Sequence, residues 1–425
     1  MFISENFIQN EIHFFIKKKK NVKKLLIKYI IDLISKQISI IKLFKYIIIV
    51  FISLCLYYAT YYLPNTSEPS YNEIEKYIKL NLAGSLINYK LLFFKRQNPI
   101  ISIVISTFNG EVYLKPAVRS IQNQNFLNIE IIIVDDGSKD NTVRVVKELM
   151  EEDRRIKLIC NGINRGTLYT KTRGVLNAKG KYVMTLDHDN LYSTNYVFSR
   201  LYCESENYNL DLLGFSIIST PVELKNIKEN ELNNYFETPI IRKPNIKRRF
   251  IGFIKSEESC TYLCLYFIKT KLFLKVIKQL GDEFINRNID AHDDTILMFL
   301  LSRNALTLKH LKKIFYICLE WPKEYDEALK FQRNMKSIER ERKNCYSDLT
   351  FTEIMFLFTE NNSDKHIAER CFHMWFLERD ECKKQKDIMN YAIKICNLYL
   401  NNEYISSDTK DKISIYLNQS KNIKY

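Results

Sequence analysis

Two stretches of this chain end an apolar run on acids. Ile131-Ile132-Ile133-Val134 stops on Asp135-Asp136-Gly137-Ser138, and Tyr182-Val183-Met184-Thr185-Leu186 stops on Asp187-His188-Asp189. Taken alone, each acidic group is more often a turn than a site. Together, at the ends of two buried strands, they point to a nucleotide and metal site at the lip of a parallel sheet. A nucleoside diphosphate is anionic and cannot sit beside bare carboxylates without a cation between them. Mg²⁺ or Mn²⁺ takes one or two carboxylates and fills its shell with phosphate oxygens and water. It then stabilises a leaving diphosphate as a Lewis acid. Alternation along the strand turns His188 away from the two acids that flank it.

The surrounding pattern supplies the elements that would position these acids. Ile100 to Ser106 reads as a strand that ends in a turn at Thr107-Phe108-Asn109-Gly110. Leu114, Val118 and Ile121 then mark one face of a helix. Glu130 to Val134 is the next strand. Asp140 or Asn141 can cap a helix carrying Val143, Val146 and Leu149. Ile156 to Cys160 is a third strand, followed by the glycine-bearing loop Asn161 to Gly166. Tyr169 to Ala178 is a helix closed by Gly180, and Tyr182 to Leu186 is the fourth strand. This alternation predicts an α/β fold with a parallel sheet. Leu212 to Ile218 and Tyr262 to Ile268 are further expected strands.

The order and spacing of several short segments resemble the inverting family 2 glycosyltransferases, which have the Rossmann-like GT-A fold. They are Val104-Ile105-Ser106-Thr107-Phe108-Asn109, Ser120 to Gln124, Ile132 to Asp140, Asn164-Arg165-Gly166, Ala178 to Tyr182 and Leu186-Asp187-His188-Asp189. The resemblance implies a nucleotide-sugar donor, with a UDP-sugar expected. It implies that Ser106, Thr107 and Asn109 contact the nucleoside, that Asp136 meets the imide edge of uracil, and that Asp135 supports that site. Asp187 and Asp189 match the D-x-D motif, which binds ribose and a divalent metal (Mn²⁺ or Mg²⁺). The family also places an acidic pair at the start of a later helix, where it takes the acceptor proton. Asp293-Asp294 before Ile296 to Leu301 fits that place, with Asp294 aligned to the base and Asp293 beside it. The same acids could instead merely favour a helix dipole. An Arg-Asn pair usual in the helix after the third strand is replaced here. Lys171, Arg173 and Arg165 are left as the basic groups available to a phosphate. The Gln-x-x-Arg-Trp element of processive synthases is missing, which argues for single additions.

The chain has 425 residues, 46% of them hydrophobic, and a formal charge of +15. Lysine is spread along its length with no zinc-finger or RGG-like tract, so nucleic acid is not an expected partner. Ten cysteines include no C-x-x-C pair. Cys260 and Cys264 lie in an apolar stretch, as core residues or as a disulfide. Residues 1–45 are rich in lysine and precede an uncharged run over 46–63, just long enough to cross a bilayer as a helix. The lysines before it and the acids after it predict a single-pass anchor with a cytosolic N-terminus and a lumenal Golgi or ER domain. Asn65, Asn361 and Asn418 open N-x-S/T sites. Residues 64–98 read as a stem, 99–320 as the GT-A domain and 321–425 as a helical C-terminal region. Ile240 to Lys255 is a basic loop, and Ile367 to Leu377 and Ile388 to Leu400 are amphipathic. The expected partners are therefore a nucleotide-sugar, a glycan, protein or lipid acceptor, and a membrane. The competing reading is a catalytically inactive GT-A-like module that serves as a membrane-tethered binding scaffold.

Overall fold

The computed structural model describes residues 71–82, 98–221, 238–243, 245–246, 262–289, 291–321, 337–358, 386–401 and 405–420. The expected anchor at 46–63, the basic segment before it, Asn65, Asn361, most of the basic loop and Ile367 to Leu377 lie outside these residues. Among the described residues no helix is long and apolar enough to cross a membrane.

One nine-stranded mixed sheet organises the domain, in the order β3-β2-β1-β4-β8-β6-β9-β5, with β7 beside β9. β1 (Ile101–Thr107), β2 (Ile129–Asp135), β3 (Ile156–Cys160) and β4 (Tyr182–Asp187) form its parallel half. These strands read as apolar runs because helices cover both faces. Every residue of β2 is buried. The connecting helices are α2 (Leu114–Gln122), α3 (Thr142–Glu152) and α4 (Thr167–Leu176). Of the two expected caps, Asn141 holds the N-cap position of α3 without a side-chain cap hydrogen bond, and the Asp140 carboxylate just before it accepts the Thr142 N–H at 3.0 Å. Within the parallel half β1 sits at the switch point, with β2 and β3 on one side and β4 on the other, and ligand crevices open at such points. The register makes the lip flush, with Ser106 level with Asp187 and Thr107 level with Asp135.

The second half is built from β5 (Leu191–Tyr192), β6 (Leu212–Pro221), β7 (Ile241–Arg242), β8 (Tyr266–Lys269) and β9 (Thr307–Glu320). α5 (Val197–Tyr208), α6 (Thr270–Ile285) and α7 (Asp293–Asn304) connect or flank them. β9 is the longest strand and no feature of the sequence announced it. It pairs with β6 across register shifts near Ser216, and the irregular pairing blurs the two-residue alternation that marks a strand. The strand expected over Tyr262 to Ile268 begins late. Leu263–Leu265 is a 3₁₀ turn instead, because the Leu263 N–H donates to the Asp294 carboxylate at 3.1 Å and not to a neighbouring strand.

Gly180 does not close α4. The helix ends at Leu176 with Asn177 as its C-cap. Gly180 instead permits close approach: a Cβ there would stand 2.7 Å from the Ser102 nitrogen. Ahead of the sheet, α1 (Tyr71–Leu82) lies in the segment read as a stem and packs onto the domain. The Tyr77 hydroxyl donates to the Ser120 carbonyl at 2.9 Å, and Asn123 donates to Asn81 at 2.8 Å. Ile78 joins a buried cluster with Leu191, Ile218, Ile317 and Leu319. After β9 the described chain is helical, as α8 (Ser337–Leu357), α9 (Lys386–Leu400) and α10 (Ser407–Ser420).

Candidate active site

One side of the site is a pair of turns laced together at the ends of β1 and β2. Asn109 adopts a left-handed backbone (φ 50°), which Asn tolerates better than most residues. Its N–H donates to Ser138 Oγ at 2.9 Å, and its side-chain oxygen accepts the Lys139 N–H at 2.8 Å. Glu111 likewise accepts the Asn141 N–H at 3.1 Å. Ser106 is half-buried at the strand end, and Thr107 is buried with a hydroxyl that makes no hydrogen bond among the described residues. Asp135 turns inward on its own loop and accepts the N–H groups of Gly137 and Ser138 at 3.2 and 3.3 Å.

Asp136, expected to meet the imide edge of uracil, is also engaged by the protein itself. Its carboxylate accepts the N–H groups of Arg165 and Gly166 at 2.8 and 3.0 Å and the Asn161 amide at 2.7 Å. A carboxylate offers about four lone-pair sites, so one remains for a base. Its first effect is therefore to pin the Asn164 to Gly166 loop. Gly166 is required there: its φ is 87°, and a Cβ would come within 2.6 Å of the Ile289 carbonyl.

β4 delivers Asp187 and Asp189, and β9 holds the turn between them. The Tyr316 hydroxyl donates to Asp187 Oδ2 at 3.0 Å. Burial, and the charge of Asp187, raise the Tyr316 hydroxyl well above its ordinary value, so it remains a donor. Asn190 donates to Tyr316 and accepts the Leu319 N–H at 3.0 Å. The Trp321 indole donates to the Asp189 carbonyl at 2.7 Å and packs edge-on against Tyr113. His188 lies over the β1 turn, with its ring centroid 5.7 Å from that of Tyr113. Tyr316 and Trp321 were not singled out from the sequence. Tyr316 is one of 27 tyrosines, and only the rarity of tryptophan could have drawn attention to Trp321.

The acidic pair arrives from α7. Its Asp293 and Asp294 meet Lys171 of α4, with Lys171 Nζ 2.8 Å from Asp293 and 2.6 Å from Asp294. Burial favours a neutral lysine, but Asp293, Asp294 and Asp187 outweigh it and hold the ammonium well above the ordinary lysine range. Burial raises the Asp294 carboxyl to about 7; Lys171 opposes the rise, while Asp293 and Asp187 add to it. The strand ends and the later acids thus form one electrostatic unit, in which carboxylates outnumber the ammonium. Of the three basic candidates, Lys171 is the one that stands among the acids. Arg173 is turned to the Cys160 carbonyl at 3.0 Å. Arg165 lies over the Tyr169 ring and donates to Asn286 at 2.9 Å.

The donor set suits a hard divalent cation. Asp187 keeps Oδ1 without a hydrogen bond among the described residues, and Asp189 follows on the same turn. Among the described residues no three His, Cys, Asp or Glu side chains gather to hold a metal. A cation here would therefore take two carboxylates and complete its shell from donor phosphate and water, the pattern preferred by Mg²⁺.

A Rossmann-like α/β sheet with acids at the switch-point lip defines a nucleotide-binding domain of GT-A type. Residues 102–268 match glycosyl transferase family 2, and over that segment the chain is similar to members of the family. It is 27% identical over 187 residues to an uncharacterised glycosyltransferase of Haemophilus influenzae, covering 41% of this chain and 75% of the relative. It is 42% identical over 92 residues to the GalNAc(5)-diNAcBac-PP-undecaprenol β-1,3-glucosyltransferase of Campylobacter jejuni, covering 21% of this chain and 30% of the relative. Among solved structures, Staphylococcus aureus TarS 1–349 in complex with UDP-GlcNAc superposes with a TM-score of 0.50 at 14% identity. That match covers 73% of this chain and 83% of TarS 1–349, and it supports the fold.

Proposed function

We propose that this chain is a metal-dependent, inverting glycosyltransferase that moves a sugar from a UDP-sugar to an acceptor hydroxyl. The observation that carries the reading is Asp294: a partly buried carboxyl raised to about 7, beside a fixed ammonium and under the charge of Asp187. A general base works best when its pKa lies near the operating pH. The turn at Ser106 to Asn109 and the loop fixed by Asp136 receive the nucleoside. Asp187 and Asp189 would hold the cation, which when bound supplies Lewis-acid stabilisation of the departing diphosphate. Lys171 keeps Asp293 and Asp294 in place. Asp294 accepts the proton of the acceptor hydroxyl as its oxygen bonds to the anomeric carbon. The C–O bond to the diphosphate breaks on the opposite face, so the configuration inverts.

The Campylobacter relative is a glucosyltransferase that acts on a lipid-pyrophosphate glycan, by its name. A glycan, protein or lipid hydroxyl is the acceptor class proposed for this chain. Residues 46–63 are proposed as a single membrane anchor, with the domain on the lumenal side of the ER or Golgi. Cys345 in α8 is disulfide-bonded, as an oxidising compartment permits. Protease protection of a C-terminal tag in sealed microsomes tests that side, and cleavage without detergent would refute it.

The decisive experiment is a panel of nucleotide-sugars with Mn²⁺, read by nucleotide release from the full chain and from Asp294→Asn. UDP release by the full chain and its loss in the variant support the reading. No release from any donor, with no UDP binding by calorimetry, would leave a non-catalytic module.

A further inference from the structure

The C-terminal helices grip the segment that leads into the acidic pair. His292, the residue before Asp293, has a left-handed backbone (φ 65°, ψ 7°). Such a conformation is strained in a non-glycine residue and persists only when its surroundings over-determine it. Here the surroundings are α8. His292 Nε2 lies 2.7 Å from Asp348 Oδ1, and the imidazole packs on the Phe351 ring at 5.3 Å. Asp348 is 1% exposed. The His292 carbonyl accepts the Ile296 N–H at 2.9 Å and so closes the first turn of α7, on which Asp293 and Asp294 stand.

A second grip lies one turn of chain earlier. Arg287 donates to Glu353 of α8 and to the Tyr391 hydroxyl of α9, both at 2.6 Å. Burial opposes ionisation of Glu353, but Tyr391 and Arg287 outweigh it and hold the carboxyl below its ordinary value. Between the two grips, Asn288 and Ile289 contact the donor-side loop. Asn288 donates to the Asn164 carbonyl at 3.2 Å, and the Ile289 carbonyl accepts the Leu168 N–H at 3.3 Å. The loop that Asp136 pins, the approach to the acidic pair and α8 are thus layered in direct contact.

We infer that the C-terminal helical region is part of the transfer machinery, with Asp348 and His292 as positioning residues that set where Asp294 stands. The inference rests on the reading of Asp294 as the base. When Asp348 is removed, the imidazole loses its anchor and the His292 backbone is free to relax from the left-handed region. The start of α7 then reorients. A displacement of about 1 Å at a catalytic group can cost on the order of 10²-fold in rate. The turns at Asn109 and Asp187 do not touch α8 through these bonds, and the Arg287 grip on Glu353 and Tyr391 still holds the segment that meets the Asn164 loop, so donor affinity should change far less than turnover.

The test uses the full chain and Asp348→Ala, Asp348→Asn, His292→Gly and the Ala/Gly double variant. Asp348→Ala is expected to lower kcat about 10²-fold, with UDP–Mn²⁺ affinity by calorimetry within about threefold. Asp348→Asn keeps an acceptor for the imidazole and should restore most of the rate. The double variant should be no worse than the poorer single variant, because the two residues act as one unit. Hydrogen exchange gives a readout that needs no turnover: amides of 291–297 should lose protection in Asp348→Ala while those of β1 and β2 keep theirs. Unchanged kcat and unchanged exchange over 291–297, in a folded Asp348→Ala protein, overturn the proposal. If Asp294→Asn retains full turnover, the base reading fails, and the exchange result still decides whether α8 positions this segment.

Discussion

The two ends of the parallel sheet carry the same kinds of groups and put them to opposite uses. At the N-terminal end Glu130 accepts Ser102 Oγ and the Lys179 N–H, each at 2.6 Å, and forms an ion pair with Lys157. Burial would raise that carboxyl, but Lys157, Ser102 and the Lys179 N–H hold it below its ordinary value. At the C-terminal lip Asp294 also has a lysine and a backbone N–H, yet burial, Asp293 and Asp187 push it up to about 7. The difference lies in the ratio of acids to cations. One acid with a lysine and two further donors is a finished structural network. Several acids around one lysine are unfinished, and a cation, a phosphate group and an acceptor proton are what would complete them.

The largest predicted effect separates the two ends by function. Asp294→Asn and Asp189→Ala should each lower turnover by about 10²–10⁴-fold while leaving the thermal midpoint unchanged or raised. Glu130→Gln should do the reverse. It leaves Lys157 without its charged partner and weakens two buried hydrogen bonds, costing about 2 kcal/mol of stability while kcat stays within about twofold. Steady-state nucleotide release and chemical denaturation on the same preparations check both. A Glu130 variant that loses turnover at full stability would break the comparison.

pH should divide the ends next. As the proposed base, Asp294 with its raised carboxyl would be protonated below about 7, so turnover should climb as pH rises through that value. The stability signs also oppose each other. A raised carboxyl contributes stability that is present below the unfolded pKa and lost as pH rises toward the folded one. The lowered Glu130 contributes stability that is present above the ordinary glutamate value and lost as pH falls through its folded pKa. Stability measured between about pH 4 and 8 in chelator should therefore rise less steeply with pH in wild type than in Asp294→Asn. Equal slopes would mean that Asp294 titrates normally.

The lip was legible in the sequence because its signals are local. An apolar run that stops on Asp135-Asp136 or Asp187-His188-Asp189 encodes strand, turn and acid within a few neighbouring residues. What surrounds those acids was not legible. Lys171 meets Asp294 across 123 positions, and Tyr316 meets Asp187 across 129. Nothing near either residue encodes the contact. β9 shows no clean alternation because its pairing with β6 shifts register, and Gly180 resembles a helix cap because a close approach to Ser102 leaves no local mark. The Asp136 side chain illustrates the same limit. Its place in the motif is plain from the sequence, but its engagement with the Arg165 and Gly166 N–H groups depends on how the next loop returns.

The smallest predicted effect concerns how much of the lip's chemistry its own strands provide. Tyr316→Phe removes one hydroxyl that donates to Asp187 Oδ2 and leaves the ring packed in place. Losing that bond frees a carboxylate oxygen at a position where Asp187 already has one unengaged. The net change is one hydrogen bond to a charged group, about 1.5 kcal/mol or roughly tenfold. The sign depends on which state the bond favours. If Tyr316 fixes the Asp187 rotamer for the cation, Mn²⁺ affinity should fall by up to that factor and kcat at saturating metal should be unchanged. If the hydroxyl instead competes with the cation for the same oxygen, affinity should rise. Calorimetric titration of Mn²⁺ with UDP into Tyr316→Phe distinguishes the two. We expect the fall, because Tyr316 also accepts the Asp187 N–H and an Asn190 amide N–H, which makes it the hinge pin of the whole turn.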